Sequence, residues 1–252
     1  MEESNFFGFK ITRSEFDIIQ VEHFKFLLKK YRLIYIEGYP PSEALLFSIA
    51  KKISIPLVVY GKDYLLGFNK YVNYVTHKSN IKISNTNFWH NDRNSTQKIC
   101  RFTLIQCQTP AEEKGETYIC NSIKTFKKLD DVDKKNLRLA VATYYLKGSN
   151  DKSRIKKYPF VNEKIIQKHP DTGEECIIAI EKYITFKHKF NSNLSCCDEI
   201  KNKIISVLND GFIYKHQWKK GDILIWDNYS IIHKAEVVMG NSKKKMYVIL
   251  TR

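Results

Sequence analysis

Apolar residues recur at helical spacing in four stretches of the chain. In the first, residues 14–31, apolar positions 16, 19, 24 and 27 fall near one side of a helix, and Ser14 stands where an N-cap belongs. The same spacing predicts helices over residues 42–52, 123–140 and 198–208. Asn-Asp-Gly at 209–211 would close the last helix, with the glycine in the left-handed conformation.

Short runs rich in Ile, Val, Tyr and Phe and bounded by Gly, Asn or Asp predict the strands. They cover residues 33–36, 102–107, 117–120, 175–180, 223–226, 230–233 and 246–250. These strands do not alternate regularly with the helices, which favours an α+β fold around a β-sandwich or barrel over a chain of βαβ units. Because no repeat or linker interrupts the sequence, we expect residues 1–252 to form a single domain.

The composition narrows the class of protein. A chain of 252 residues with 43% hydrophobic residues can bury a substantial core, so it is not a disordered or collagen-like protein. Its net charge of +15 raises nucleic acid or an anionic membrane as a partner. Only seven of the 42 basic residues are Arg, however, and phosphate and base edges favour the guanidinium fork. This composition favours a solvated lysine surface over a nucleic-acid partner.

The expected cellular location of the protein is inferred from targeting and membrane signals that the sequence does not contain. The N-terminus carries acidic residues and no apolar core of a secretory signal, and no apolar run approaches the roughly 20 residues of a membrane helix. The six cysteines are irregularly spaced and form neither a disulfide framework nor a zinc pattern. These features predict a cytoplasmic protein with reduced cysteines and no membrane association.

His90 and Asp92 are the first candidates for chemistry, with His233 near the C-terminus as a third. Residues two apart on a strand point to the same face, so His90 and Asp92 can both reach one ion. Two imidazoles and one carboxylate form the facial triad that holds non-haem Fe(II) and leaves other coordination positions open. By itself, His-x-Asp is more typical of a surface turn or a hydrogen-bonded pair, so the motif alone leaves both interpretations open.

The surrounding segments resemble, in order, those of the TauD/TfdA (taurine dioxygenase-like) family of Fe(II)/2-oxoglutarate-dependent oxygenases. FWHND at 88–92, TP at 109–110 and GET at 115–117 are similar to the family's WHxD, P and GGDT run. HPDTG at 169–173 is similar to HPxTG, and WKKGDILIWDN at 218–228, followed by His233, is similar to WxxGDxxxWDN and its histidine. The resemblance implies a double-stranded β-helix (jelly-roll, cupin-like) core with flanking helices.

The resemblance also implies cofactors and roles. His90, Asp92 and His233 match the three iron ligands, and Thr117 matches the hydroxyl residue that binds the distal carboxylate of 2-oxoglutarate. The implied cofactors are Fe(II), with 2-oxoglutarate as cosubstrate, and O2. The implied reaction oxidises an unactivated C–H bond, by default to an alcohol, while 2-oxoglutarate is decarboxylated to succinate and CO2.

One position departs from the family pattern. Family members usually place an Arg some 10 to 15 residues after the second histidine as a clamp on the distal carboxylate, but KKKMYV at 243–248 contains none. On a strand, Lys244 would face the same way as Met246 and Val248, whereas Lys243 and Lys245 would point the other way. Lys244 or Arg252 is therefore the expected clamp. A solvated charge cluster remains the other interpretation of the lysine run.

The sequence gives less information about the substrate than about the cofactors. Residues 67–77 correspond to a segment from which the family builds much of its substrate pocket, and Tyr71, Tyr74 and His77 are candidates there; Arg93 is a candidate for a substrate carboxylate. The run from Cys107 to 121 is also similar to members that act in natural-product pathways, including isonitrile-forming ones. We expect a small, amino-acid-derived substrate, with hydroxylation as the default and desaturation or oxidative decarboxylation as alternatives.

Two further classes of function stay open at this stage. The charge of +15 keeps a nucleic-acid-directed enzyme in view, including a nucleobase demethylase with the same iron chemistry, although the C-terminal RxNxTxR pattern of such enzymes is missing. The missing Arg keeps a non-catalytic binding module in view. The complete set of three iron ligands argues against the binding module.

Overall fold

A computed structural model describes residues 6–58, 65–66, 70–78, 87–93, 98–145, 160–178, 184–188, 194–239 and 243–252 of the chain. Within these ranges the helices are α1 (Arg13–Ile18), α2 (Val21–Tyr31), α3 (Glu43–Ile53), α4 (Ser122–Lys128), α5 (Asp131–Leu139) and α6 (Leu194–Asn209). None of these helices is both long and apolar enough to cross a lipid bilayer.

Fifteen strands are present in the described ranges. They are β1 (Phe9–Ile11), β2 (Leu33–Ile36), β3 (Leu65–Leu66), β4 (Asn73–Lys78), β5 (Phe102–Thr109), β6 (Thr117–Asn121), β7 (Ala140–Tyr145), β8 (Phe160–Lys164), β9 (Ile166–Lys168), β10 (Glu175–Ile177), β11 (Ile184–His188), β12 (Ile213–His216), β13 (Ile223–Asp227), β14 (Ile231–Ala235) and β15 (Lys243–Leu250).

Two sheets enclose the centre of the molecule. The larger has seven strands in the order β1-β2-β13-β5-β15-β4-β3, and it is antiparallel except for the β1–β2 pair. The smaller has three antiparallel strands in the order β12-β6-β14. Two further small sheets, β11-β7-β8 and β10-β9, complete the strand pairing.

Apolar side chains pack on both faces of the large sheet. On the outer face, α2 and α3 cover it through residues such as Leu28 and Leu46, against Ile225 and Ile249. On the inner face, Leu224, Trp226 and Met246 belong to a core shared with β6 and β14. This alternation along each strand gives one face to the helical layer and the other to the space between the sheets.

Two of the predicted helices are each interrupted. The predicted helix over 14–31 is α1 and α2, because Ile19 is extended (ψ 132°), and the N-cap of α1 is Thr12 in a capping box with Glu15, not Ser14. The predicted helix over 123–140 breaks at Leu129, which is also extended, and Asp130 caps α5. Amphipathic spacing continues across both breaks, so the pattern alone could not reveal them.

The glycine after α6 allows two helices to pack closely. Gly211 does not adopt a positive φ, contrary to the prediction of a left-handed C-terminal residue. A Cβ atom at this position would lie 2.6 Å from Thr125 Oγ1 on α4. The absence of a side chain therefore lets the end of α6 approach α4 closely.

Candidate active site

His90 and His233 are held side by side by their own backbones. The His90 N–H donates to His233 O at 2.9 Å, and the His233 N–H donates to His90 O at 3.0 Å. His233 lies in β14, and this pair of bonds attaches the segment before Asp92 to the edge of the small sheet. The two imidazole rings stand 4.2 Å apart between centroids, and one nitrogen atom of each ring lies within 4.8 Å of the other.

Asp92 is oriented by two polar neighbours. Its Oδ2 atom accepts a hydrogen bond from Thr103 Oγ1 on β5 at 2.6 Å, and its backbone N–H donates to Asn228 Oδ1 at 3.3 Å. Asn228 in turn donates from Nδ2 to Thr103 Oγ1 at 2.8 Å. A buried Asn–Thr pair therefore fixes the direction of the carboxylate.

The three side chains offer a set of donors suited to a divalent metal ion. One potential ligand atom from each of His90, Asp92 and His233 lies within 4.8 Å of the others. Each Nε2 atom is 3.9 Å from an Asp92 carboxylate oxygen, which is too far for a hydrogen bond. The donors therefore converge without pairing with one another. Two nitrogens and one oxygen fit the facial triad of Fe(II).

The surroundings of the two histidines favour metal binding. His90 Nδ1 lies 2.9 Å from Phe88 O, and a hydrogen bond to this carbonyl places the ring proton on Nδ1 and leaves the Nε2 lone pair free. Burial, with a contribution from the neighbouring His90, lowers the pKa of His233 to about 3. His233 is therefore neutral at pH 7, as a metal-binding imidazole must be.

A cavity of about 110 Å³ extends from these donors between the two sheets. Its lining comes from β4, β5 and β15 of the large sheet, from β6 and β14 of the small sheet, and from Trp218 between β12 and β13. Apart from the three metal-ligand candidates, its polar residues are Asn73, Thr117 and Lys244, together with the indole of Trp218.

Lys244 is a buried cation within this cavity. Its side chain points inward from β15, the residue is 2% exposed, and Nζ donates to Gly115 O at 2.7 Å. Gly115 has φ +82°, and a Cβ atom there would lie 2.9 Å from Ala111 Cβ and 3.2 Å from a Val238 methyl group. Glycine is therefore required for this carbonyl to meet the lysine. Burial lowers the pKa of Lys244 to about 8.

Thr117 and Trp218 lie beside Lys244. Trp218 donates its Nε1–H to Thr117 Oγ1 at 2.9 Å, and Lys244 Nζ lies 5.2 Å from the centre of the indole. Thr117 pairs with Ala235, which is two residues after His233 on β14 and also lines the cavity. Two residues along a strand span roughly 7 Å, so the metal-ligand candidates and this polar group are separated by about that distance.

A buried ion network supports the strand and turn that precede His233. Asp227 is fully buried at the end of β13, and its Oδ2 lies 2.8 Å from His169 Nε2 and 3.1 Å from Arg101. Arg32 approaches the same oxygen at 3.5 Å, and Arg101 also binds Asp171 at 2.5 Å. The HPDTG and WDN segments are thus joined through one carboxylate.

The comparison with known families decides the class of the protein. The sequence profile of the taurine catabolism dioxygenase TauD, TfdA family matches residues 3–250. The chain belongs to the TauD/TfdA family. The match confirms the resemblance found in the motifs.

Individual TauD/TfdA relatives are distant. The alpha-ketoglutarate-dependent 2,4-dichlorophenoxyacetate dioxygenase of Burkholderia sp. (strain RASC) is 22% identical over 157 residues, which are 58% of this chain and 52% of that protein. The 3-((Z)-2-isocyanoethenyl)-1H-indole synthase of Fischerella ambigua (strain UTEX 1903) is 20% identical across 92% of this chain and 86% of that protein. The chain thus spans about half the length of the dichlorophenoxyacetate dioxygenases it matches.

Solved structures show the fold. A taurine dioxygenase from Burkholderia xenovorans superposes with a TM-score of 0.76 at 12% identity, covering 92% of this chain and 79% of that one. AAD-2 in complex with Mn(II) and N-oxalylglycine gives a TM-score of 0.74 at 14% identity, covering 96% and 88%. The predicted α+β fold with a jelly-roll core and flanking helices is confirmed.

Within this TauD/TfdA fold, several predicted site residues lie outside the cavity. Arg252 is exposed beyond the end of β15, and its backbone N–H donates to Ile55 O, so the structure does not place this predicted clamp beside the metal-ligand candidates. Tyr71 stacks on Phe47 at 5.1 Å between ring centroids. Neither Tyr71 nor Arg252 lines the cavity.

Two other substrate candidates are engaged in structural contacts. Tyr74 faces the helical layer, where its hydroxyl binds Glu43, so it does not line the cavity although its strand neighbours do. Arg93 forms an ion pair with Glu163 at 2.8 Å, which opposes a role in binding a substrate carboxylate. The backbone of His77 lies in β4 opposite Lys244, and its side chain is outside the described part of the structure.

Three residues of the site were not found from the sequence. Thr103 orients Asp92, Trp218 binds Thr117, and Asn73 lines the cavity with a buried Oδ1 atom that has no hydrogen-bond partner among the described residues. Trp218 begins the WKKGDILIWDN segment, and the resemblance of that segment to the family motif was the available signal. Thr103 and Asn73 depend on strand register, which no local pattern specifies.

Proposed function

We propose that this protein is an Fe(II)- and 2-oxoglutarate-dependent oxygenase that acts on a C–H bond of a small molecule. The observation that carries the proposal is the pairing, within one cavity, of a two-histidine, one-carboxylate donor set with a buried lysine and a hydroxyl group. A metal ion alone would not require Lys244. An anionic cosubstrate that reaches from the metal to Lys244 accounts for both groups.

His90, Asp92 and His233 hold the Fe(II) in this proposal. When bound, the iron with 2-oxoglutarate and O2 supplies oxidation of a substrate C–H bond, coupled to decarboxylation of 2-oxoglutarate to succinate and CO2. The protein's part is to fix the donors: Thr103 holds the Asp92 carboxylate, and the Phe88 carbonyl holds the His90 ring. Groups that orient metal ligands in this way commonly change metal affinity when removed.

Lys244 and Thr117 bind the distal carboxylate of 2-oxoglutarate. Lys244 supplies the positive charge and Thr117 supplies a hydroxyl donor, and both line the same cavity as the metal ligands. The separation of roughly 7 Å along β14 suits a five-carbon diacid whose other end reaches the metal. Lysine acts here as a point charge, with less geometric selection than the guanidinium fork.

The substrate is a small molecule with an apolar part facing the cavity. Lys244 is the one cation among the described lining residues, and the cosubstrate uses it. Asn73 Oδ1 offers an acceptor to a substrate N–H or O–H group, which an amino-acid-derived compound would supply. The name of the Fischerella ambigua relative agrees with such a substrate. The remaining wall is aliphatic and comes from Val75, Ile105, Ala235, Met246, Val248 and Leu250.

We further propose a cytoplasmic protein that does not act on nucleic acid. Cys100, Cys107, Cys120 and Cys176 are free and buried, which agrees with a reducing compartment. For nucleic acid, no detectable binding of an oligonucleotide at low salt is expected, whereas affinity that falls steeply with salt would favour the nucleic-acid-directed alternative.

The proposal is tested by loading the apoprotein with Fe(II) under argon and titrating 2-oxoglutarate while recording the visible charge-transfer band of the chelate. O2 is then admitted and succinate is measured. His233→Ala should abolish both signals, whereas His23→Ala, which alters an exposed residue of α2, should retain them. Persistence of both signals in His233→Ala would refute the ligand assignment. Bound iron without a band in the wild type would favour the non-catalytic binding member.

A further inference from the structure

Trp218 is in contact with both groups that would bind the distal carboxylate. The residue is 7% exposed and follows β12. The Nε1–H donates to Thr117 Oγ1 at 2.9 Å, and the ring system lies 5.2 Å from Lys244 Nζ. Thr117, Lys244 and Trp218 all line the cavity.

The hydrogen bond to Thr117 determines what the hydroxyl can offer. An indole N–H is only a donor, so Thr117 Oγ1 is the acceptor in this bond. The hydroxyl proton is then free to be donated, and within the described ranges no other side chain or backbone group is a hydrogen-bond partner of Oγ1. Trp218 thus makes Thr117 a donor toward the cavity, which suits a carboxylate because a carboxylate only accepts.

The indole also stabilises the buried ammonium group. A cation over an aromatic face is attracted to the ring, more strongly where water is excluded. Lys244 Nζ donates one hydrogen bond to Gly115 O at 2.7 Å, and within the described ranges no carboxylate lies at ion-pair distance from Nζ. Glu116, the nearby acid, pairs instead with Lys215 at 3.2 Å. The positive charge of Lys244 is therefore held in place yet left for an anionic ligand.

The WKKGD motif explains how Trp218 is held. Gly221 has φ +90°, and a Cβ atom there would lie 2.3 Å from Tyr39 O, so the turn requires glycine. The Asp222 carboxylate accepts from the Lys219 N–H at 2.9 Å, which closes the turn directly after Trp218. The ring of His216 meets the indole edge to face at 4.5 Å. The indole is therefore fixed before any ligand binds.

We propose that Trp218 is the positioning residue of the 2-oxoglutarate clamp. Its N–H directs the Thr117 hydroxyl, and its ring holds the Lys244 ammonium, so that both donors point to the distal carboxylate. This inference rests on the proposed function. In this role, the tryptophan of the WKKGD motif helps the protein to select a cosubstrate that carries a second carboxylate.

The test compares two keto acids on the Fe(II)-loaded protein under argon. 2-Oxoglutarate has a distal carboxylate and 2-oxobutyrate has none, and both give a chelate band. Trp218→Phe keeps an aromatic ring but loses the N–H, so we expect roughly tenfold weaker binding of 2-oxoglutarate and unchanged binding of 2-oxobutyrate. Thr117→Val should weaken 2-oxoglutarate binding by a similar factor. The double variant of Trp218→Phe and Thr117→Val should bind 2-oxoglutarate at most about threefold more weakly than Thr117→Val alone, because the two residues act through one hydroxyl.

The matched control is Trp89→Phe, which removes a comparable 2.9 Å indole bond to Asn209 Oδ1 and leaves the WKKGD motif intact. It should bind 2-oxoglutarate within twofold of the wild type. Trp218→Tyr serves as a second variant if Trp218→Phe does not fold. Equal losses for the two keto acids, or a 2-oxoglutarate affinity within twofold of the wild type, would overturn the positioning role. Absence of a band in the wild type would instead count against the proposed function.

Discussion

Replacing Lys244 by methionine should have opposite effects on ligand affinity and on the stability of the apoprotein. Methionine keeps much of the volume of the side chain and removes its charge. Burial lowers the pKa of Lys244 from 10.5 to about 8, which corresponds to ~3 kcal/mol of unfavourable free energy for keeping the ammonium charged at pH 7. The methionine variant does not bury a charge, so this unfavourable free energy is absent from it. It leaves the Gly115 carbonyl without its hydrogen-bond donor, however, which costs about 1–3 kcal/mol.

We therefore expect the free energy of unfolding of the Lys244→Met apoprotein to be unchanged or raised by up to ~2 kcal/mol at pH 7. This cost depends on pH. The unfolded state binds the lysine proton more tightly, so the cost of the buried charge is complete below pH 8 and disappears as the pH rises toward 10.5. Any advantage of the variant should vanish over the same range. Denaturant titrations at pH 7 and near pH 10 measure this difference.

The affinity for 2-oxoglutarate should fall in the same variant. Loss of one partner of a desolvated charge pair costs about 2–5 kcal/mol, so the dissociation constant should rise at least about thirtyfold in the anaerobic chelate titration. Lys243→Met and Lys245→Met change exposed residues on the opposite side of β15 and should bind like the wild type. Affinity within threefold of the wild type would refute the clamp. A loss of stability as large as the loss of affinity would refute the reasoning about the buried charge.

Four further outcomes are expected. The affinity for 2-oxoglutarate should fall about tenfold per pH unit above pH 8, where Lys244 loses its proton, and Lys244→Arg should extend the plateau to higher pH; a flat wild-type profile to pH 9.5 would contradict this. Thr103→Val should weaken Fe(II) binding about 10- to 100-fold in a competition assay with a chelator, and equal affinity would show that Asp92 needs no orienting bond. Asp227→Ala should lower the free energy of unfolding by ~3–5 kcal/mol, because Arg101 loses a buried partner; a shift below ~1 kcal/mol in denaturant would argue against the network. Arg252→Ala should bind 2-oxoglutarate within twofold of the wild type in the chelate titration, and a larger loss would place that side chain at the cavity.

The metal-ligand candidates were the most predictable part of the site. His90 and Asp92 occur within one short motif, and a separation of two residues is itself a geometric statement about their direction. Alternation along β15 likewise placed Lys244 toward the cavity and its neighbours toward solvent, as the structure has them. Arg252 could not be judged in this way, because it lies beyond the last strand residue.

Strand register decides which of the substrate candidates on β4 can face the cavity. Tyr74 lies between Asn73 and Val75 on β4, and the two neighbours line the cavity while Tyr74 packs against Tyr247 on the opposite face. A shift of one residue exchanges the two faces of a strand, and residues 67–77 give no apolar alternation that would determine it. The ion pair of Arg93 was not predictable for a different reason: its partner Glu163 is 70 residues away, and sequence spacing does not reveal such a pair.

The order of strands in the large sheet has a consequence for biosynthesis. Its central strands β13 and β15 belong to the last part of the chain, and they lie on either side of β5, between the early strands β2 and β4. While the chain is being made, β2, β4 and β5 therefore wait with unpaired edges until residues 223–250 have left the ribosome. His233 and Lys244 are made in the same stretch of the chain as these two strands. We expect the nascent protein to depend on chaperones, and a chain truncated before Lys243 to leave β5 and β4 unjoined and prone to aggregate.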